Sequence, residues 1–260
     1  MNILTGLILW DREKNMSPNV VIIIGLLILS TISGMLGLGV AFSAVPFLGL
    51  FLPDLVHQVQ PLSLLLNGLT ALFSTFGFAR GGHIEWRRAI ILSVVTTLAA
   101  PIGSYLVRFV PQIYIWFIYV AAVAYLAYRL FRPVTPRPGN ENFNLALILA
   151  VPISMLSGFL GVGPGFLLMP TLIIVGFDPK KAAGINAWAV TPPSFSALVP
   201  RLSTAQFDVD LMIPLLIVGA VGSYVGARIT SRFVPSARIK QIFGVLIVLM
   251  TLYKIYTMVK

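Results

Sequence analysis

The sequence contains no cysteine and very little charge. Only 10% of its 260 residues are Asp, Glu, Lys or Arg, against roughly 25% in an ordinary soluble domain, and 58% are hydrophobic. So few charges could not cover the surface of a soluble fold, which argues against a soluble enzyme, a nucleic-acid-binding protein or a disordered chain. Without cysteine, disulfides, zinc–thiolate sites and cysteine nucleophiles are excluded. The composition is typical of a polytopic membrane protein.

Acidic residues are especially scarce, at 8 against 18 Lys and Arg. All eight lie outside the charge-free stretches, so no buried carboxylate is predicted for a cation path or proton relay. Asp54, Glu85, Asp178 and Asp208 are predicted to be helix N-caps. Two isolated histidines predict no metal site, and no cofactor is expected. The net charge of +10 resides in short loops, as the positive-inside effect requires, and does not indicate nucleic acid.

Eight charge-free segments run along the chain, most of them near the roughly 20 residues that span a bilayer. They are continuously apolar rather than alternating, which favours helices over a β-barrel and gives an all-α fold with eight spans. The segments are residues 20–53, 55–79, 89–107, 109–128, 142–177, 182–200, 211–227 and 241–253.

Two of these segments are too long for one span. Residues 20–53 would form a helix of about 51 Å, whereas the hydrocarbon core is about 30 Å thick, and residues 142–177 have the same excess. Each contains a glycine cluster near its middle, where a membrane helix can break. The sequence therefore predicts two helical pieces per long segment and up to ten helical elements in total.

The two halves of the chain are sequence repeats, offset by 124 residues. Residues 33–39, SGMLGLG, align with residues 157–163, SGFLGVG, and Phe42 aligns with Phe166. The predicted organisation is an N-terminal interfacial segment, a first membrane repeat, a Pro-rich linker and a second membrane repeat. Their boundaries are 1–18, 19–131, 132–142 and 143–260.

Equivalent loops of the two repeats differ in charge. Lys180 and Lys181 have no basic counterpart beside Asp54, whereas Arg87 and Arg88 have none in the second repeat. If basic loops face the cytoplasm, equivalent loops lie on opposite sides, which predicts inverted repeats. The linker and the loop at Arg232 are then cytoplasmic and both termini outside. Inverted repeats with broken helices suggest a secondary transporter whose site lies where the breaks meet.

The glycine motifs resemble those of a known family. The SGxLGxG pattern, twice in one chain, looks like the TauE/SafE family, also called the 4-toluene sulfonate uptake permease family, over residues 20–258. Residues 191–194 and 222–228 are similar to further family stretches. The chain departs from the family at residues 61–63, which lack Gly-Thr, and at Asn186, where Ser is common. The resemblance implies transport of a small sulfur-containing anion such as sulfite or an organosulfonate across a cell membrane, and the expected location is the prokaryotic plasma membrane.

We predict that the substrate-binding residues combine backbone N–H groups at the breaks with polar side chains on the following helices. The candidates are Gly37, Gly39, Gly161, Gly163, Gly165, Ser63, Asn67, Asn186, Thr191, Ser194, Arg80 and Arg201.

Each class of candidate also has a simpler interpretation. The glycines could serve close helix packing, the polar side chains could bond across helices, and Arg80 and Arg201 could extend to the membrane interface. Asn186→Ala is expected to weaken binding, and Gly163→Val to abolish uptake while stability stays near the parent.

A membrane-embedded enzyme, a structural or assembly factor, and a transporter of another small organic anion are the alternatives. No catalytic residue is predicted. The partners expected are a small anion and the lipid bilayer, and the sequence does not indicate an oligomeric state.

Overall fold

The computed structural model describes residues 18–106 and 141–236, together with positions 109, 114, 117, 121, 238, 239, 241 and 245. The predicted interfacial segment at the N-terminus lies outside the described residues except for Pro18, and so does the linker except for its last two residues.

All regular structure in the described ranges is helical. Four helical stretches are long and apolar enough to cross a membrane: Leu55–Ala79, Trp86–Leu106, Phe143–Leu160 and Val209–Phe233. The helices are α1 (Pro18–Met35), α2 (Ala41–Leu48), α3 (Gln60–Ala79), α4 (Trp86–Leu106), α5 (Phe143–Leu160), α6 (Gly165–Ile174), α7 (Pro179–Leu198) and α8 (Val209–Phe233). A π-helical turn, Leu55–Val59, leads into α3, and a 3-10 turn, Val199–Arg201, follows α7.

Both long segments break at the predicted glycines. The first is divided into α1 and the short α2, and the second into α5 and the short α6. Gly37, Gly39, Gly161 and Gly163 have φ angles of 63°, 70°, 69° and 71°. This left-handed conformation ends a right-handed helix and is open to glycine at little steric cost. The predicted helix breaks are therefore confirmed.

Helix N-caps explain three of the four acidic residues assigned to that role. Asp54, Asp178 and Asp208 each accept hydrogen bonds from two backbone N–H groups at the start of a helix. Glu85 differs, because its carboxylate pairs with Arg88 at 2.9 Å and with Lys181 at 2.9 Å. Glu85 still stands at the N-cap position of α4, where its carbonyl oxygen accepts from Ala89 N at 2.9 Å, while its carboxylate is paired with the basic first turns of α4 and α7.

The helices pack in a pattern that repeats between the halves. α1 packs on α8 and α5 on α4; α3 packs on α8 and α7 on α4; α3 and α7 pack on each other. Exchanging each helix with its repeat equivalent leaves this pattern unchanged. Gly34 on α1 and Gly158 on α5 allow the close approach, since an added Cβ would overlap the backbone of Ser223 or of Ala100.

The repeat-equivalent helices α3 and α7 cross the middle of the molecule side by side. Near the start of α3, Gln60 accepts a hydrogen bond from Arg201, just past the end of α7. One to two turns further, Asn67 donates to Ser194. Residue numbers fall along α7 as they rise along α3, so the two helices run antiparallel.

Candidate functional site

Asn67 on α3 lies between the two helix breaks. A Cβ added to Gly39 would collide with Oδ1 of Asn67, and one added to Gly163 would collide with its Nδ2. The Asn67 side chain is fully buried and donates from Nδ2 to the hydroxyl of Ser194 at 2.8 Å. The Asn67 amide therefore touches the broken segment of each repeat, and its hydrogen bond to Ser194 on α7 fixes its position.

Asn186 on α7 makes a second connection between the breaks. Its Nδ2 donates to the carbonyl oxygen of Gly37 at 2.6 Å and to that of Gly165 at 3.2 Å. Both acceptors belong to broken segments, one in each repeat. Its Oδ1 is buried and accepts no hydrogen bond in the described part of the chain. The amide protons of Asn186 thus hold the two segments together, and its donation to a substrate stays a prediction.

The short helices α2 and α6 begin directly after the breaks. Val40 N donates to Thr70 Oγ1 at 3.1 Å, which fixes the start of α2 to α3. No backbone carbonyl of the described residues accepts from the N–H group of Gly39 or Gly163. α2 and α6 each begin two residues after a glycine that touches Asn67, so the positive ends of two helix dipoles lie near that side chain, a setting that favours negative charge.

Three other candidates lie near this region without bonding to the Asn67 amide. Gly161 packs against the side chain of Gln60. The Ser63 hydroxyl is buried and has no hydrogen-bond partner among the described residues. The Thr191 hydroxyl donates to the carbonyl of Ala187 in its own helix at 2.9 Å. The Thr191 hydroxyl is therefore satisfied within its own helix.

Arg80 lies at the far end of α3 from the breaks. It is 13 residues beyond Asn67 on the same helix, a separation of about 20 Å. Its side chain is exposed, donates to the hydroxyl of Tyr224 and stacks over that ring at 5.8 Å. The structure does not bring Arg80 to the central region.

Arg201 is buried, with 5% of its surface exposed. It donates from Nε to Ser104 Oγ at 2.9 Å and from Nη2 to the carbonyl of Gly158 at 3.0 Å, and it also bonds Gln60. The alternative that Arg201 extends to the membrane interface is therefore wrong. Its charge instead meets the carbonyl end of α5, where the helix dipole is negative.

The geometry also revises the expectation for Gly163→Val. Gly163 has a φ of 71°, which a β-branched residue adopts only under strain, and its missing Cβ is the space that Asn67 occupies. The expectation that this variant would keep the stability of the parent is wrong.

Comparison with known proteins decides the family. A model of the family described as Sulfite exporter TauE/SafE matches residues 21–254. The chain belongs to the sulfite exporter TauE/SafE family. The match includes both glycine breaks, Asn67 and all eight described helices apart from the first three residues of α1.

The relatives of this family member are named as transporters. A "Probable membrane transporter protein" of Xylella fastidiosa (strain 9a5c) is 26% identical over 86% of this chain and 89% of its own length. "Probable membrane transporter protein YdhB" of Bacillus subtilis (strain 168) is 23% identical, with 81% and 89% covered. No solved structure matches the chain. The protein is thus a multi-pass membrane protein of a transporter family.

Sequence reasoning missed four residues around this site in the TauE/SafE family member. Phe42 and Phe166 align in the repeats and are in fact in ring-to-ring contact, but repeat equivalence alone does not predict a contact. Thr70 and Gln60 carry no motif. Their roles depend on which residue of a distant segment lies opposite, and that information is absent from a single sequence.

Proposed function

We propose that this protein is a secondary transporter that moves a small anion, sulfite or an organosulfonate, by alternating access. The observation that carries the proposal is the position of Asn67, a buried amide packed against a left-handed glycine of each repeat. Polar side chains inside membrane proteins are commonly functional, and sites of broken-helix transporters lie where the breaks meet.

The electrostatics of the breaks support an anion as substrate. Two short helices start there, and their dipoles offer partial positive charge. Within the described residues, the Asp and Glu side chains all lie at or beyond helix ends and add no negative charge at the centre. The sulfur chemistry is taken from the family description.

Inverted repeats are part of the same proposal. α3 and α7 occupy equivalent places in the two halves and run antiparallel, and the other helix contacts are exchanged by the same operation. Two-fold symmetry with an axis in the membrane plane produces this relation. The five elements proposed for each repeat, with the broken segment counted twice, would reverse its direction and place equivalent loops on opposite sides.

Transport assays on reconstituted protein test the function directly. The parent in liposomes should accumulate labelled sulfite against unlabelled sulfite inside, with competition from sulfoacetate or taurine if organosulfonates share the site. Absence of uptake of any sulfur anion by folded parent protein would refute the proposed substrate class.

Variants of Asn67 test the proposed position of the site. Asn67→Asp keeps the shape and adds negative charge, so it should reduce sulfite uptake by at least about tenfold through charge repulsion. Thr75→Val is the matched control, since Thr75 is buried on the same helix and its hydroxyl bonds only Ala71 O in the structure. The control should stay within about twofold of the parent. Parent-like uptake by Asn67→Asp would place the site elsewhere.

A further inference from the structure

The geometry points to Phe42 and Phe166 as a size-selecting barrier over the Asn67 amide, the residues that decide how large an anion the site accepts. This inference rests on the proposed transport function and adds to it a determinant of substrate size. Neither ring belongs to the polar site itself.

The two rings come from equivalent positions of the two repeats. Each follows its break glycine by three residues, Phe42 after Gly39 and Phe166 after Gly163, and lies in the first turn of α2 or α6. The rings stack with centroids 3.4 Å apart and planes inclined by 5°. They are 5% and 1% exposed. The starts of the two short helices are thus joined by one aromatic contact.

The aromatic contact lies close to the central amide along both broken segments. Asn67 touches Gly39 and Gly163, so each ring is less than one helical turn along the chain from a residue in contact with Asn67. Val40, between Gly39 and the ring, is fixed to Thr70 on α3. The aromatic pair is therefore anchored next to the site and fills space that a larger substrate would need.

Stacking also suits the pair to border an anion site. An aromatic ring carries negative potential on its faces and positive potential at its edge. The stack covers one face of each ring and leaves the C–H edges of both rings uncovered by the partner ring. An anion beside these edges would meet positive potential, while its size is limited by two rigid rings. Since one ring belongs to each repeat, relative movement of the repeats changes the stack.

Truncation of either ring should relax selection by size. We expect Phe42→Ala and Phe166→Ala each to raise the uptake of butanesulfonate relative to sulfite by at least about tenfold, because added room in an apolar pocket changes discrimination by about 10–200-fold. The double variant should show little further change, since either substitution already removes the stack. Phe47→Ala is the matched control, as Phe47 lies on α2 and contacts Phe51. It should leave the ratio unchanged.

A second measurement does not depend on which anion is carried. The chain has no cysteine, so Asn67→Cys provides one reactive thiol at the site. Adding Phe42→Ala should increase its rate of modification by a small methanethiosulfonate reagent in liposomes at least about tenfold, whereas adding Phe47→Ala should not.

The two measurements separate the possible failures. If the parent protein transports no sulfur anion, the proposed function is contradicted. The rate of thiol modification in Asn67→Cys still tests the barrier in that case. An unchanged thiol rate with Phe42→Ala in folded protein, or an unchanged ratio of butanesulfonate to sulfite in a transporting protein, would overturn the inference. Folding of each variant is checked by size-exclusion chromatography and melting temperature in detergent.

Discussion

Gly163→Ala and Gly82→Ala form a matched pair that tests the contact between the second break and Asn67. Both glycines are left-handed, with φ angles of 71° and 70°. Around Gly82 nothing lies within 4 Å of an added Cβ, whereas at Gly163 the Cβ would collide with Nδ2 of Asn67. The two substitutions share the backbone strain and differ in the collision.

The expected magnitudes follow from this difference. An alanine in the left-handed region costs about 1–2 kcal/mol, which is the whole effect at Gly82. At Gly163 the collision also displaces the Asn67 amide from Ser194, and a buried polar group that loses its partner costs about 1–3 kcal/mol more. With about 2–4 °C per kcal/mol for a chain of this size, Gly163→Ala should melt roughly 2–12 °C below Gly82→Ala.

The assay is thermal unfolding in detergent, with and without sulfite. Ligand that binds only the folded state raises the melting temperature, so the parent and Gly82→Ala should show the same sulfite-dependent increase. Gly163→Ala should show little or none, because its Asn67 is displaced. Equal destabilisation by the two substitutions would refute the packing argument. A full sulfite-dependent increase in Gly163→Ala would move the anion site away from the breaks.

Three further predictions concern other parts of the chain. Asn186→Ala should lower the melting temperature by roughly 4–12 °C, since it removes two buried hydrogen bonds between broken segments, worth together about 2–3 kcal/mol; a change below about 1 °C would contradict this role. Hydrogen bonds from the backbone N–H and the ring of His57 lower the pKa of Asp54 from its ordinary value of 3.8. The ionised Asp54 therefore stabilises the folded state above about pH 3.8, and this contribution is lost as the pH falls through the lowered pKa. Asp54→Asn should make the melting temperature depend less steeply on pH below about pH 4. The same pH dependence in the variant and the parent would contradict this prediction. Single cysteines at Gly139 and Thr204 should be labelled from opposite sides of the membrane; labelling from one side would exclude inverted repeats.

The parts of the fold that follow from local chemistry could be predicted from sequence. Excess length together with a glycine cluster predicted both breaks, because a continuous helix of that length does not fit a bilayer and left-handed turns favour glycine. Asp178 followed by proline predicted the start of α7. The ion pair of Glu85 with Lys181 could not be predicted, because it depends on a segment almost 100 residues away.

The site was predictable as a region but not as a set of contacts. Gly39 and Gly163 lie against Asn67 in the region that the repeats and breaks indicate, and the binding of a substrate there stays a prediction. Local sequence could not show that the amide protons of Asn186 are occupied by backbone carbonyls, or that Arg201 is buried against the end of α5. Such contacts depend on which residues face each other across packed helices.

The two repeats do not contribute equally to the centre of the molecule. Asn67 contacts both breaks, whereas its counterpart in the second repeat is Val190, which lies beside Gly165 and carries no polar group. After duplication, then, one copy kept or acquired the central amide and the other did not. If the repeats exchange conformations during a cycle, as an inverted duplication allows, the two end states are not energetically equivalent. Under the proposed alternating access, the divergence at this single position would give the carrier a preferred resting orientation, which a symmetric ancestor would have lacked.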